Sequence, residues 1–155
     1  MKKGCRTALL IISILAQIVV LNGCTQNDGD LHGLFGSWKL ESITIDNVED
    51  KDYQMNEIWV FQNNIMAINV VDEHEHLPQT YYGTFERDGN TMTMNFTHSD
   101  NAFAPGTGPY APPTETHLPA AIFNMEILKL TGSKLRFEYI NTEGKTIIYN
   151  LKKWG

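Results

Sequence analysis

The sequence predicts an all-β fold, an eight-stranded antiparallel up-and-down barrel, on three observations. Apolar and polar residues alternate with a period of two in short runs. The runs are separated by brief turns rich in Gly, Asn and Asp. From Gly36 onward, the spacing typical of amphipathic helices is almost absent. With 155 residues, 42% of them apolar and 19% charged, the chain has the size and composition of one folded domain.

The strands are predicted from this alternation. Residues 91–97 are the clearest case, because Met92, Met94 and Phe96 must share one face of a strand. Residues 134–139 repeat the pattern, with three charged side chains on the outer face. The eight strands are therefore predicted at 36–45, 57–62, 65–72, 80–87, 91–98, 121–130, 134–140 and 145–153.

Two strands indicate how the sheet closes. The alternation changes phase after Leu40 in the first strand and after Ile127 in the sixth. A β-bulge produces such a phase change and lets a sheet bend sharply. Depending on where the second bulge falls, Glu126 faces the interior or the solvent. The outer strands of a meander stay unpaired unless they pair with each other, which favours a barrel over the alternative, a two-sheet sandwich.

The barrel interior is the candidate binding site, since eight strands enclose room for their own side chains or for one small ligand. On the second strand, either Val60 or Phe61 faces inward. The predicted cavity residues are Phe61, Met66, Tyr81, Phe85, Met92, Met94, Phe96, Phe137 and Tyr139. Their bulk favours a mostly filled core, although flexible methionines can yield to an apolar guest. A filled barrel would instead indicate an interaction module for an envelope protein partner, with Trp59 and Ile148 as its exposed apolar contacts.

Residues 99–119 form one connection much longer than a usual hairpin loop, and they include five prolines. A connection of this length is either disordered or a functional lid, and the prolines favour a semi-rigid lid. Its apolar residues Phe103, Tyr110 and Leu118 are placed to fold over the mouth of the barrel.

The first residues predict an export signal. Lys2, Lys3 and Arg6 precede an apolar stretch over 8–21, the layout of a secretory signal. The stretch is shorter than the roughly 20 residues of a membrane-spanning helix. We therefore predict a signal peptide over residues 1–23, a flexible tether over 24–33 and the barrel domain over 34–155.

The end of this segment, Leu21-Asn22-Gly23-Cys24, resembles the lipobox of bacterial lipoproteins, although Asn22 replaces the usual small residue. The alternative is an ordinary signal peptide with a cysteine there by chance. The resemblance implies that acyl chains on Cys24 hold the domain stably on a membrane. Similarity to Gram-negative lipoproteins with Thr25 at the next position implies the outer membrane, on its periplasmic face or at the cell surface.

The charge of the exported chain limits its partners. Loss of the three cations in residues 1–23 leaves 9 Lys and Arg against 18 Asp and Glu, a net charge of −9. Such a domain is expected neither to bind nucleic acid nor to lie on an anionic membrane surface. Cys5 leaves with the signal and Cys24 is acylated, so no thiol remains for redox chemistry. No cofactor is expected.

Gly36-Ser37-Trp38, at the start of the first strand, resembles the Gly-x-Trp motif of lipocalins. Over residues 33–154 the chain is similar to small lipocalin-like lipoproteins of Gram-negative bacteria. The resemblance implies that Trp38 closes one end of the barrel beneath a cation, Lys152 or Lys153. From the lipobox, the Gly-Ser-Trp start and the eight strands together, we expect a non-enzymatic barrel that binds a small apolar ligand in its mouth. The Thr-Asp-Tyr motif and the C-terminal helix of larger lipocalins are missing.

The histidines of Asp72-Glu73-His74-Glu75-His76 are the one candidate for metal chemistry. On an extended chain His74 and His76 point to the same side, as two zinc ligands would, with His98 or His117 as a third. This arrangement would indicate a metal-dependent hydrolase, and the alternative is a solvated acidic loop. The sequence has neither a Gly-x-Ser-x-Gly elbow nor a phosphate-binding glycine loop. No catalytic residue is therefore predicted.

Overall fold

The structure, a computed structural model, describes residues 33–71, 79–97 and 111–155. Its strands are β1 (Gly36–Ile45), β2 (Val48–Glu49), β3 (Glu57–Gln62), β4 (Ile65–Val70), β5 (Gln79–Asp88), β6 (Thr91–Asn95), β7 (Ile122–Leu130), β8 (Lys134–Ile140) and β9 (Thr146–Lys153). A 3-10 turn, Thr114–Thr116, precedes β7. In these ranges no helix is both long enough and apolar enough to cross a bilayer.

Eight of the strands close into an antiparallel barrel. From β3 to β9 each strand pairs with the next, and β1 pairs with both β3 and β9. The closing ladder runs from Trp38 opposite Lys153 to Ile45 opposite Ile147. The barrel prediction is confirmed, and the sandwich alternative is wrong because the eight strands form one sheet that closes where β1 pairs with β9.

The predicted strand bounds agree with the observed ones to within three residues, the largest difference being the end of β6 at Asn95. The pairing register shifts between Leu40 and Ser42 in β1 and between Ile127 and Lys129 in β7. Both bulges lie where the change of phase predicted them. Hydrophobic alternation therefore located the bends as well as the strands.

One short strand was not predicted. β2 folds back on the end of β1 through a two-residue turn, in which Asp46 and Asn47 have φ values of 50° and 67°. Asp and Asn tolerate these angles better than most residues, and such turns match the twist of a hairpin. The strand is only two residues long, too short for an alternating pattern to show in the sequence.

Large side chains fill most of the barrel. The end where β1 begins and β9 ends is here called the closed end, and the opposite end is called the mouth. The aromatic residues with less than 2% exposure are Trp38, Trp59, Phe61, Phe96, Phe137 and Tyr149. The ring centroids of Phe61 and Phe85 lie 5.5 Å apart, edge to face. Of the predicted cavity residues, all are buried except Tyr81, which is partly exposed.

The expectation that Trp59 and Ile148 lie exposed on the outer face is wrong. Phe61 rather than Val60 faces inward on β3, and Trp59 therefore shares its face and is fully buried. Ile148 lies outside the core cluster but is only 5% exposed, on a strand with neighbours on both sides. The proposed interaction surface loses both of its named contacts. Glu126 faces outward and accepts a hydrogen bond from Thr91 over 2.6 Å.

Candidate functional site

Trp38 and Lys153 organise the closed end. The indole N–H of Trp38 donates to the Leu34 carbonyl over 2.7 Å, and the ring is fully buried. Nζ of Lys153 lies 4.3 Å from the centroid of that ring and donates to the Phe35 carbonyl. Lys152 is exposed on the other side of β9. This end is thus sealed by packing and a cation–π contact, with Lys153 as the cation.

Gly36 is required at the closed end for two reasons. Its φ of +106° lies in a region that side chains rarely adopt, and a Cβ there would approach Nζ of Lys153 to 2.9 Å. The glycine in Gly-x-Trp therefore lets the lysine reach across the tryptophan.

Residues 112–118, here called the strap, cover one side of the mouth. Pro112, Pro113 and Thr116 are buried, and Leu118 joins the core. The Tyr149 hydroxyl donates to the Thr116 carbonyl over 2.7 Å, which fastens the strap to β9. Leu118 lies over the mouth as expected, whereas the two other apolar residues assigned to this cover, Phe103 and Tyr110, lie outside the described residues.

A hydrogen bond between His117 and Asp50 fastens the strap to the connection that follows β2. Nε2 of His117 lies 2.7 Å from Oδ2 of Asp50, in the connection that follows β2. The hydrogen bond from His117 is the main cause that lowers the pKa of Asp50. The strap therefore spans from β9 to the β2–β3 connection.

A buried carboxyl group lies at the mouth. Glu57, the first residue of β3, is 1% exposed, and its Oε2 accepts a hydrogen bond from the indole N–H of Trp59 over 2.9 Å. The pKa of Glu57 is raised to about 7, mainly because burial disfavours the charged carboxylate; the Trp59 hydrogen bond opposes this rise, and the charge of Glu115 in the strap adds to it. The mouth therefore contains a carboxyl group that changes charge near neutral pH.

Sequence reasoning missed Glu57, although a signal was present. Glu57, Trp59 and Phe61 follow one another at a period of two, so all three share the inner face once any one of them does.

Two tyrosines, Tyr53 and Tyr81, lie close enough to Glu57 for its charge to affect their hydroxyl groups. Tyr53 donates to the Leu40 carbonyl over 3.0 Å, and burial raises the pKa of Tyr53. Burial is also the main cause that raises the pKa of Tyr81, and the negative charges of Glu115 and Glu57 raise it as well. Both phenols stay protonated at neutral pH and can donate hydrogen bonds. Tyr81 is the one of the two that is partly exposed.

The other side of the mouth has a floor of apolar side chains, here called the mouth floor: Val70, Tyr81, Phe96, Phe123 and Tyr139. The ring of Phe123 lies 4.9 Å from that of Tyr139 and 6.1 Å from that of Phe96. A Cβ on Gly83 would come within 2.6 Å of the Phe96 ring, so a glycine on β5 makes room for it. Val70, Tyr81 and Phe123 are packed on the core yet partly exposed.

The metal-site prediction is only partly covered by the structure. His74, His76 and His98 lie outside the described residues, and so does Cys24. His117 is paired with Asp50 rather than with another histidine. Over residues 33–71, 79–97 and 111–155 no group of three or more His, Cys, Asp or Glu is placed to hold a metal ion.

A closed eight-stranded meander sealed by a buried tryptophan beneath a cation defines a lipocalin-type barrel. The sequence model of a lipocalin-like domain matches residues 19–153. The chain therefore belongs to the lipocalin-like domain family. Comparison with curated proteins finds no significant match.

Two solved structures share this architecture. A lipocalin-like protein from Bacteroides uniformis superposes with a TM-score of 0.57 at 17% sequence identity, over 79% of this chain and 99% of the other. An uncharacterized protein from Bacteroides eggerthii gives a TM-score of 0.51 at 14% identity, over 77% and 98%. At these identities the likeness concerns the fold alone.

Proposed function

We propose that this chain is a lipid-anchored, non-enzymatic protein of the outer membrane that binds a small, mainly apolar molecule at the barrel mouth. The observation that carries the binding proposal is the mouth floor. Of the five partly buried apolar side chains that pack on the core of the described residues, three belong to this floor, namely Val70, Tyr81 and Phe123, and a fourth, Ile45, also lies at the mouth. The closed end and the middle of the barrel are filled, so a guest would lie across the floor rather than deep inside.

The polar groups of the mouth indicate what a guest would carry. Tyr81 is a partly exposed donor within the electrostatic reach of Glu57 and Glu115. An apolar molecule with one hydrogen-bonding group would place its body on the rings of Phe123 and Tyr139 and its polar group on Tyr81. This combination of apolar surface and few polar contacts is typical of small-molecule sites.

Binding is tested with the fluorescent apolar probe N-phenyl-1-naphthylamine. Phe123→Ser is expected to weaken probe binding about tenfold or more, because it removes a large ring from the floor. The matched control is Ile122→Ser, the preceding residue on the same strand, which points outward and is 62% exposed. Equal probe affinity in Phe123→Ser and Ile122→Ser would rule out the mouth floor as the site.

The anchor proposal is supported by the resemblance of residues 21–24 to a lipobox. Cys24→Ser is expected to move the protein from the membrane fraction to the soluble fraction of its own host, because the acyl chains lose their attachment point. The control is Cys5→Ser, which changes the other cysteine of the chain and should leave the protein on membranes. A Cys24→Ser protein that still sediments with membranes would contradict the anchor.

A further inference from the structure

Cations from three neighbouring strands form a row at the closed end of the barrel. Lys39 on β1 is paired in register with Lys152 on β9, and Lys152 is paired in turn with Lys134 on β8. Lys39 lies between the buried Trp38 and Leu40, and Lys134 and Lys152 each adjoin a buried leucine, so all three ammonium groups lie on the outer face. Like charges directly opposite one another on a sheet are destabilising. The stability of the barrel therefore does not explain why three lysines lie side by side here.

Two further cations continue the patch. Lys129 on β7 is paired with Arg136 on β8, the next outward position after Lys134. Within the described residues, none of these five side chains has a carboxylate within ion-pair distance. A groove of about 480 Å³ lies beside Lys129, between Arg87, Thr131 and Gly33. The five cations Lys39, Lys129, Lys134, Arg136 and Lys152 are here called the basic patch.

Most carboxylates of the described residues lie toward the mouth instead, whereas Glu86 and Asp88 lie in the closed-end half of β5. Along the outer face of β8 the order from the closed end is Lys134, Arg136 and then Glu138, which is paired with Glu126 on β7. Glu57 and Glu115 also lie at the mouth. The residues after residue 23 have a net charge of −9, yet in the described residues the basic patch lies at the closed end and most carboxylates lie toward the mouth. The sequence-based expectation of repulsion from anionic membranes considered the total charge alone.

Exposed aromatic residues accompany the basic patch. Trp154, just beyond β9, is 52% exposed, and Phe35, just before β1, is 48% exposed. Nζ of Lys39 lies 5.8 Å from the ring of Trp154. Tryptophan beside cations is the composition favoured at membrane–water interfaces, where rings and lysines meet lipid headgroups.

The chain enters the barrel at this same end. Residues 24–33 separate the proposed lipid on Cys24 from Leu34, and a random coil of about ten residues spans on average roughly 17 Å. Tethering at this range keeps the basic patch near the bilayer, so weak contacts suffice to orient the barrel.

From the row of cations, the exposed aromatic residues and the point of entry, we infer that the closed end is a docking surface for anionic phospholipid headgroups. Docking there holds the mouth away from the membrane, toward the aqueous space from which a guest would come. The orientation of the barrel in this inference rests on the proposed lipid anchor. The test below replaces that anchor with a lipid coupled chemically to Cys24.

The test uses the chain from residue 24 onward, which keeps the whole strand ladder of Gly36–Lys153 and has Cys24 as its one cysteine. Coupling Cys24 to a maleimide lipid attaches the barrel to vesicles whatever its natural acylation. Trp38 and Trp59 are fully buried, so brominated phospholipids report on contact with Trp154. Quenching is expected in vesicles rich in phosphatidylglycerol and not in pure phosphatidylcholine, and it should fade at high salt.

Two double variants with the same change of charge decide the matter. Lys134→Gln with Lys152→Gln should lower the equilibrium constant for docking roughly 30-fold. Lys51→Gln with Lys145→Gln, which alters cations near the mouth, should leave quenching unchanged. Equal quenching in both vesicle types, or an equal loss in both double variants, would overturn the inference. Failure of native acylation or of probe binding at the mouth would not affect either result.

Discussion

Glu57→Gln is expected to be more stable than the unmodified protein above about pH 7, and to lack a pH dependence that the unmodified protein shows. In the folded protein the carboxyl group stays protonated up to about pH 7, whereas in the unfolded chain it ionises from about pH 4.5. Between these values the folded state holds a proton that the unfolded state has released. The free energy of unfolding therefore falls as the pH rises, by roughly 3 kcal/mol across this window.

Glutamine cannot ionise, and its carbonyl still accepts the hydrogen bond from Trp59. Urea unfolding of Glu57→Gln and of the unmodified protein is measured at about pH 4.5 and about pH 7. The change in unfolding free energy between these two pH values is expected to differ between the two proteins. Glu86→Gln, an exposed carboxylate on β5, is the control and should follow the unmodified protein. Parallel profiles for Glu57→Gln and the unmodified protein would show that the group ionises freely at the mouth.

Asp50 has the opposite effect on how the free energy of unfolding depends on pH, and its effect falls in the acid range. Its hydrogen bond with His117 lowers its pKa, so its contribution to stability is present above its usual pKa and is lost as the pH falls below it. The acid side of the profile therefore reports on Asp50, and the neutral side on Glu57.

Trp38→Ala is expected to cost roughly 3–5 kcal/mol of unfolding free energy, the range for removing a large buried side chain. The substitution empties the closed end, takes the hydrogen-bond donor from the Leu34 carbonyl and leaves the charge of Lys153 without its ring. Burial already lowers the pKa of Lys153, so its ammonium group has given up some hydration in the folded state. Without the ring, that loss of hydration is no longer offset.

Chemical denaturation compares this variant with Trp154→Ala. Trp154 is 52% exposed, and its removal should cost less than about 1 kcal/mol. Similar losses in the two variants would mean that Trp38 does not organise the closed end.

Sequence alone predicted the barrel because its main determinants are local. Alternation along 91–97 and 134–139 set the strand faces, and the changes of phase near Leu40 and Ile127 located the bulges. Closure then followed from the number of strands, since a meander with bends leaves its outer strands free to meet.

The site was harder to predict because it depends on tertiary contacts. On β3 the run Ile58-Trp59-Val60-Phe61 is apolar on both faces, so alternation could not decide which face was inner, and Glu57 was missed. The strap is held by His117 on Asp50 and by Tyr149 on Thr116, pairs brought together only by the fold.

The basic patch was missed for a related reason. Lys39 lies about a hundred residues from Lys134 in the sequence, and only the pairing of β1 with β9 and of β9 with β8 brings them into one row. A net charge summed over the chain contains no information about register.

The closing of β1 on β9 also limits how another protein could recognise this one. Each barrel strand in the described ranges has neighbours on both sides, and only the two-residue β2 presents an open edge. An extended peptide could not join the sheet by β-augmentation, and edge-to-edge polymerisation into fibrils has almost no template. Any macromolecular partner must instead bind to side chains on the outer face or to connecting segments.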